Sequence, residues 1–268
     1  MNTTKNTIAI LGCGWLGLPL AAALIKKGFH VIGTTSRPER LPLLENEGIE
    51  AVLYRTDIEN VNALDRLCAA SQIIITIPPL RNNPQFEYAK IVELWVSYFE
   101  NRCERLVFTS SISVYGESTR KVDETSLLLP ATPVGQQLVA AEQAVLQAKG
   151  TEGVVLRLGG LIGPDRHPIT HLSGRHAVPN PNAPINLVHQ LDLIAAISLL
   201  MERPLGSLPR QVYNLVSPQH PSRETYYTQQ AQQRNLPAPI FDHSQPAVGK
   251  TVLGEAFSTD FGFEYKNV

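Results

Sequence analysis

An apolar run, Ile8 to Leu11, passes directly into Gly12-Cys13-Gly14-Trp15-Leu16-Gly17, and an apolar-periodic segment follows at once. Strand, glycine turn and helix in immediate succession turn backbone N–H groups and a helix N-terminus toward one point, the geometry that receives a pyrophosphate. The glycines have separate tasks. One makes the tight turn, one lets the backbone come close to phosphate, and Gly17 lets the helix pack on the strand. Gly12, Gly14, Trp15, Leu16 and Gly17 are therefore candidate dinucleotide-binding residues.

Which dinucleotide is read from the end of the second strand. An NAD site places a carboxylate about 20 residues past the glycines, where it accepts from the ribose hydroxyls and repels a 2′-phosphate. Here the strand beginning at His30 runs instead from Gly33 into Thr34-Thr35-Ser36-Arg37. Small hydroxylated residues followed by a guanidinium suit a phosphate, which favours NADP(H), with NAD(H) the less favoured cofactor. The competing reading makes Arg37 and Arg40 ordinary loop cations.

A formal charge of −1 and a pI near 6.7 exclude the basic stripe that nucleic acid or an anionic membrane would require. The three cysteines, at 13, 68 and 103, show neither metal-ligand spacing nor a disulfide framework, and a reducing cytoplasm is expected. The polar start, Met1 to Thr7, does not read as a signal sequence, and no run has the apolar length of a membrane span. No spacing of His, Cys, Asp and Glu reads as a metal site.

Strand and helix patterns alternate along the first two-thirds of the chain, as in a parallel sheet wound by crossover helices. The sequence predicts helices over 15–27, 62–70, 85–101, 135–149, 191–201 and 222–234. Strands are predicted over 8–11, 30–33, 50–54, 72–77, 106–109, 154–158, 185–188 and 211–216. The expected fold is α/β, a Rossmann-type doubly wound parallel sheet with a small C-terminal substrate-side subdomain. Residues 1–165 and 185–216 form the nucleotide-binding core, 166–184 a proline- and histidine-rich insertion, and 217–268 the subdomain. The two proline-rich stretches are either a substrate lid or stiffened surface connections.

With Leu106-Val107-Phe108-Thr109-Ser110-Ser111-Ile112-Ser113-Val114-Tyr115-Gly116, the sequence resembles the extended short-chain dehydrogenase/reductase family of NAD(P)-dependent sugar epimerases, dehydratases and reductases. Leu156-Arg157 with Ile162-Gly163-Pro164, Leu187-Val188-His189-Gln190-Leu191-Asp192 and Tyr213-Asn214-Leu215 extend the likeness over nearly the whole chain, with Gly159 standing at a family proline. GWLGLPLA, SSISVYG, INLVH and FGFEY are similar, more narrowly, to its YeeZ-like branch. The resemblance implies that Ser111 lies at the nicotinamide as a catalytic hydroxyl, that Asp57 and Ile58 face the adenine, and that Ile77 and Pro78 border the cofactor. A homodimer through the helix carrying Leu138, Val139, Ala144 and Val145 is also implied, although that stripe equally suits packing on its own sheet.

The family's Tyr and Lys, four residues apart, perform its proton chemistry: the phenol exchanges the proton, and the ammonium binds ribose and favours phenolate. At the matching positions stand Val134 and Leu138, and the glycine turn also departs, with Leu11 at the family's first glycine. An isopropyl and an isobutyl group do neither job. Tyr115 is a candidate replacement acid/base, without a lysine four residues on. His167, His171 and His176 titrate near working pH and are further candidates; His189 reads as a packed residue. Arg157 and Arg166 suit either an anionic substrate or scaffolding. The expected function is hydride transfer on a nucleotide sugar or another small carbonyl or hydroxyl compound, with a non-catalytic NADP(H) sensor and a structural subunit as alternatives.

Overall fold

Every residue of the first strand, Thr7–Leu11 (β1), is buried, as expected of a parallel strand covered on both faces. The computed structural model describes residues 6–56, 61–79 and 87–267. After β1 come α1 (Gly17–Lys26), β2 (His30–Thr35), α2 (Leu41–Asn46), β3 (Glu50–Leu53), α3 (Val61–Leu67), β4 (Gln72–Ile75), α4 (Tyr88–Phe99) and β5 (Arg105–Ser111). The chain continues through β6 (Lys121–Val122), α5 (Pro133–Leu146), β7 (Glu152–Leu158), β8 (Gly160–Ile162), α6 (Ile169–Leu172), β9 (Leu187–His189) and α7 (Gln190–Met201). It ends with β10 (Val212–Leu215), α8 (Arg223–Gln233), β11 (Thr251–Val252) and α9 (Glu255–Phe261).

The central sheet has seven parallel strands in the order β10-β7-β5-β4-β1-β2-β3, so the Rossmann-type α/β fold expected from the alternating pattern is present. From β1 the chain moves outward to β2 and β3, then returns to pair β4 on the other side of β1. That reversal is the place where folds of this kind receive ligands, beyond the carboxyl ends of the strands.

Several boundaries differ from the sequence reading. The first helix starts at Gly17 rather than residue 15, because Cys13 to Leu16 are turn. The second strand runs on through Thr34 and Thr35, both buried, where a loop was expected. Ladder pairing in the fourth strand stops at Ile75, two residues short of the expected end, and the strand at 185–188 shifts to Leu187–His189. Six elements had no sequence signal: the helices α2, α6 and α9 and the short strands β6, β8 and β11.

The chain forms two compact units, each made of three segments. Unit 1 holds residues 1–111, 133–157 and 194–212, and unit 2 holds 112–132, 158–193 and 213–268. In unit 1 the buried Trp95 indole donates to the Tyr54 hydroxyl at 2.6 Å. Arg105, fully buried, pairs with Glu152 at 2.6 Å and donates to the Gln72 side chain and to the carbonyls of Leu200, Arg203 and Pro204. Its loss would take a donor from each of those acceptors.

Unit 2 has its own core, in which Ile162, Ile169, Ile185 and Leu187 meet Tyr226 and Tyr227 of α8. That helix begins at Arg223, one residue past the expected start, and is capped by the Ser222 hydroxyl, which accepts from the Thr225 N–H at 3.1 Å. Phe257 and Phe261 stack at 4.2 Å and both meet the Tyr213 ring edge to face. Buried Asp192 accepts from the backbone N–H groups of Lys266 and Asn267 and from the Asn267 amide, which fixes that segment to the start of α7.

Candidate functional site

The glycine turn lies at the carboxyl end of β1, beside the end of β4, at the point where strand order reverses. Three hydrogen bonds hold it. The Gly12 N–H donates to Thr34 Oγ1 at 2.8 Å, the Cys13 N–H to the Thr34 carbonyl at 2.7 Å, and Thr76 Oγ1 to the Gly12 carbonyl at 2.6 Å. Thr34, read from the sequence as one of the hydroxylated residues suited to a phosphate, is thus a strut for the turn.

Gly12 and Gly17 are each required for a distinct local reason. Gly12 has φ +112°, and a Cβ there would stand 2.7 Å from Ile77 Cγ1. A Cβ on Gly17 would overlap the Gly12 carbonyl oxygen, a backbone atom that cannot swing away. At Gly14 a Cβ would meet nothing within 4 Å, and the residue is exposed. The backbone is therefore open at Gly14, and no acidic residue stands in the first turn of α1 to oppose an anion. Such a cradle fits a pyrophosphate. Trp15 flanks it half-buried and Leu16 packs inward.

Past β2, the Thr35 hydroxyl accepts from the Arg37 N–H at 3.3 Å, while Ser36 and Arg37 are exposed. The positive charge of Arg40 reaches the Cys13 thiol, lowering its pKa against a larger effect of burial that leaves it at about 12. Ile77 lies beyond the end of β4, its carbonyl accepting from the Tyr88 hydroxyl at 2.6 Å, and Pro78 is exposed. Asp57 and Ile58 lie outside the described residues.

Ser111 is the last residue of β5 and half-buried. Its neighbour Ser110 points into the protein and donates to Glu142, whose carboxylate is held by Arg157 through contacts of 2.8–3.2 Å. Glu142 and Arg157 are 1% and 4% exposed, so the arginine is scaffolding in unit 1, and a role on an anionic substrate is corrected. Val134, Leu138 and Glu142 recur at four-residue spacing on α5 and so share one face of it. Leu138 and Val145 are buried, and Val139 and Ala144 half-buried, so part of the apolar stripe is spent inside the chain.

In unit 2, Tyr115 is buried and donates to Asn214 Oδ1 at 2.8 Å. The same asparagine donates to the Leu253 carbonyl through its amide and to Glu124 through its backbone. His167 is buried, its Nδ1 accepting from the Ile169 N–H at 3.1 Å and its Nε2 3.0 Å from the Tyr226 hydroxyl. Burial, with a smaller contribution from the charge of Arg234, pulls its pKa down to about 4. His171, His176 and Arg166 are exposed, and His189 Nδ1 accepts from the Leu191 N–H. No metal-holding cluster occurs among the described residues, nor a helix long and apolar enough to cross a membrane. All three cysteines are free thiols.

Fold and turn together define a Rossmann-type α/β protein whose glycine turn has the geometry of a dinucleotide cradle. The sequence profile of the NAD dependent epimerase/dehydratase family matches residues 8–215, and the chain belongs to that family. It is 37% identical to protein YeeZ of Escherichia coli strain K12 over 265 residues, covering 97% of this chain and 95% of that one. Among solved structures, a conserved protein of unknown function from Silicibacter pomeroyi superposes with a TM-score of 0.78 at 22% identity, over 98% of this chain and 94% of that chain. UDP-glucuronic acid 4-epimerase from Bacillus cereus, in complex with NAD, superposes with a TM-score of 0.79 at 15% identity, covering 98% and 92%.

Proposed function

We propose that this chain binds NADP(H) at the glycine turn and uses it in hydride transfer on a hydroxyl or carbonyl group of a small substrate, a nucleotide sugar being the favoured class. The observation that carries the reading is the strutted turn, in which Thr34 and Thr76 hold Gly12 while the backbone at Gly14 stays open. Bound there, the nicotinamide supplies a hydride acceptor or donor. Gly12, Gly14, Trp15, Leu16 and Gly17 seat the pyrophosphate; Ile77 and Pro78 border the cofactor; Thr35, Ser36 and Arg37 receive the 2′-phosphate. The exposed guanidinium of Arg37 supports NADP(H), while the B. cereus epimerase bound to NAD keeps NAD(H) as the alternative.

Ser111 holds the substrate oxygen. The positions that correspond to the family's proton-transferring Tyr and Lys are Val134 and Leu138, so α5 offers neither a phenol nor an ammonium at those places. The proton comes from another group, and Tyr115, with its hydroxyl already given to Asn214, is a weak candidate for it. A second reading, a nucleotide-responsive protein without turnover, draws on the same two aliphatic residues.

Calorimetric titration of nucleotide-free protein with NADPH and then NADH tests the cofactor. About tenfold or greater preference for NADPH is the expected result; binding of neither overturns the reading. Hydride exchange from 4-deuterated NADPH into a panel of nucleotide sugars and small carbonyls then separates the two readings. Exchange supports an enzyme, whereas saturable binding without exchange, with unequal affinities for oxidised and reduced cofactor, supports the sensor.

A further inference from the structure

Unit 2 contains an open pocket of ≈ 160 Å³ lined chiefly by Ile162, His167, His189, Tyr226, Arg234 and Asn267. Its size suits a group of a few non-hydrogen atoms. The hydrogen bonds already made around it determine what such a group must offer.

His167 Nδ1 accepts from the Ile169 N–H, so in the neutral ring the proton sits on Nε2. Nε2 then donates across 3.0 Å to the Tyr226 hydroxyl oxygen. The phenol, 8% exposed, is thus used as an acceptor at that contact and retains its own proton as a donor. Burial raises the phenol pKa to about 12, so the proton is present at any working pH. His189 repeats the pattern: Nδ1 accepts from the Leu191 N–H at 3.2 Å, which leaves Nε2–H as a donor. Arg234 gives only its Nε to Gln230 Oε1, at 3.4 Å, keeping both terminal NH2 groups.

Acceptors among the side chains of the wall are fewer, Asn267 Oδ1 being one of them. Gln230 Oε1 is taken by Arg234, and its amide donates to Gln233. The Asn267 amide donates to Asp192, whose oxygens also receive two backbone N–H groups. Among the described residues no carboxylate lines the cavity. A buried phenol proton, an imidazole N–H and a guanidinium around one small space leave an acceptor-rich, negatively charged group as the matching occupant.

We propose that this cavity is an oxyanion-binding site, taking the carboxylate or phosphate group of a small ligand, with Tyr226, His189 and Arg234 as its donors. The inference stands apart from the nucleotide reading, since every residue it uses lies in unit 2.

The test is titration of the full chain with inorganic phosphate and, separately, with malonate, followed by calorimetry and by amide and side-chain chemical shifts in two-dimensional NMR. Perturbation should centre on Asn267 and His189. Arg234→Gln, at an exposed helix end, and Tyr226→Phe, which keeps the ring on His167, should each weaken binding by about tenfold. Arg175→Gln, at an exposed arginine off the wall, should leave binding unchanged. Binding of phosphate alone, malonate alone or both, with those sensitivities, supports the site and names the oxyanion. If neither anion binds, or if Arg175→Gln weakens binding as much as Arg234→Gln does, the proposal is overturned.

Discussion

Glu142→Gln should destabilise unit 1 by about 3 kcal/mol, the lower end of what breaking a buried ion pair costs, because glutamine retains one acceptor. The estimate rests on three facts. Both partners are nearly sealed from water, at 1% and 4% exposed, so little solvent screening offsets the loss. Arg157 reaches the carboxylate from Nε and Nη2, and Ser110 donates to it as well. Neutralising the carboxylate takes the Glu142 charge away from a guanidinium that stays charged and buried. For a chain of this size the melting temperature should fall by roughly 6–10 °C. Both tryptophans, Trp15 and Trp95, lie in unit 1, so urea unfolding followed by their fluorescence reports on the unit that carries the pair. The double variant Glu142→Leu with Arg157→Met removes both charges and should return to within about 1 kcal/mol of the parent, since apolar residues of similar volume replace such pairs at little cost. A single Glu142→Gln variant within about 0.5 kcal/mol of the parent would refute the reasoning, because it would mean that the Arg157 guanidinium is compensated without the Glu142 charge.

Two further outcomes follow from the geometry. His167, with its pKa depressed to about 4, favours the neutral ring in the folded state, so its contribution is complete above about pH 6.5 and declines as pH falls toward 4. The expected loss is about 2 kcal/mol between pH 7 and pH 5; His167→Leu should remove that slope in urea unfolding followed by tyrosine circular dichroism, and an unchanged slope would contradict the assignment. Gly17→Ala and Gly14→Ala should part company: the first loses about 1–3 kcal/mol of stability as its Cβ meets the Gly12 carbonyl, and both lose NADPH affinity. Equal melting temperatures for the two variants would show that the turn relaxes freely.

What was legible in the sequence was local. The βα junction at Gly12 to Gly17 and the β-branched strand at 72–75 each announce themselves through neighbouring residues. Tertiary partnerships did not. Thr34 read as a cofactor-side hydroxyl because its partner, the Gly12 N–H, lies 22 residues away. Arg105 and Arg157 are charged residues in buried positions, and only the assembled sheet reveals the acceptors that make this tolerable. The two-residue strands at 121–122 and 251–252 are too short to carry a period. The oxyanion cavity was invisible for the same reason, since His167, Tyr226 and Asn267 are scattered over a hundred residues and only the direction of each proton gives the site its character.

The interleaving of the two units bears on how the chain is made. Residues 112–132, which belong to unit 2, leave the ribosome before α5 and β7 of unit 1, and at biological elongation rates the stretch from β5 to β7 takes on the order of seconds to emerge. Throughout that interval β5 has β4 on one side and an open edge on the other, because its second neighbour has not yet been synthesised. The nascent chain therefore passes through a stage with an apolar, unpaired strand, and slow codons or chaperone shortage in that window should show first as aggregation of incomplete chains rather than as a less stable finished protein. For the same reason no single cut in the sequence releases either unit intact, and a fragment ending after β5 is expected to be insoluble.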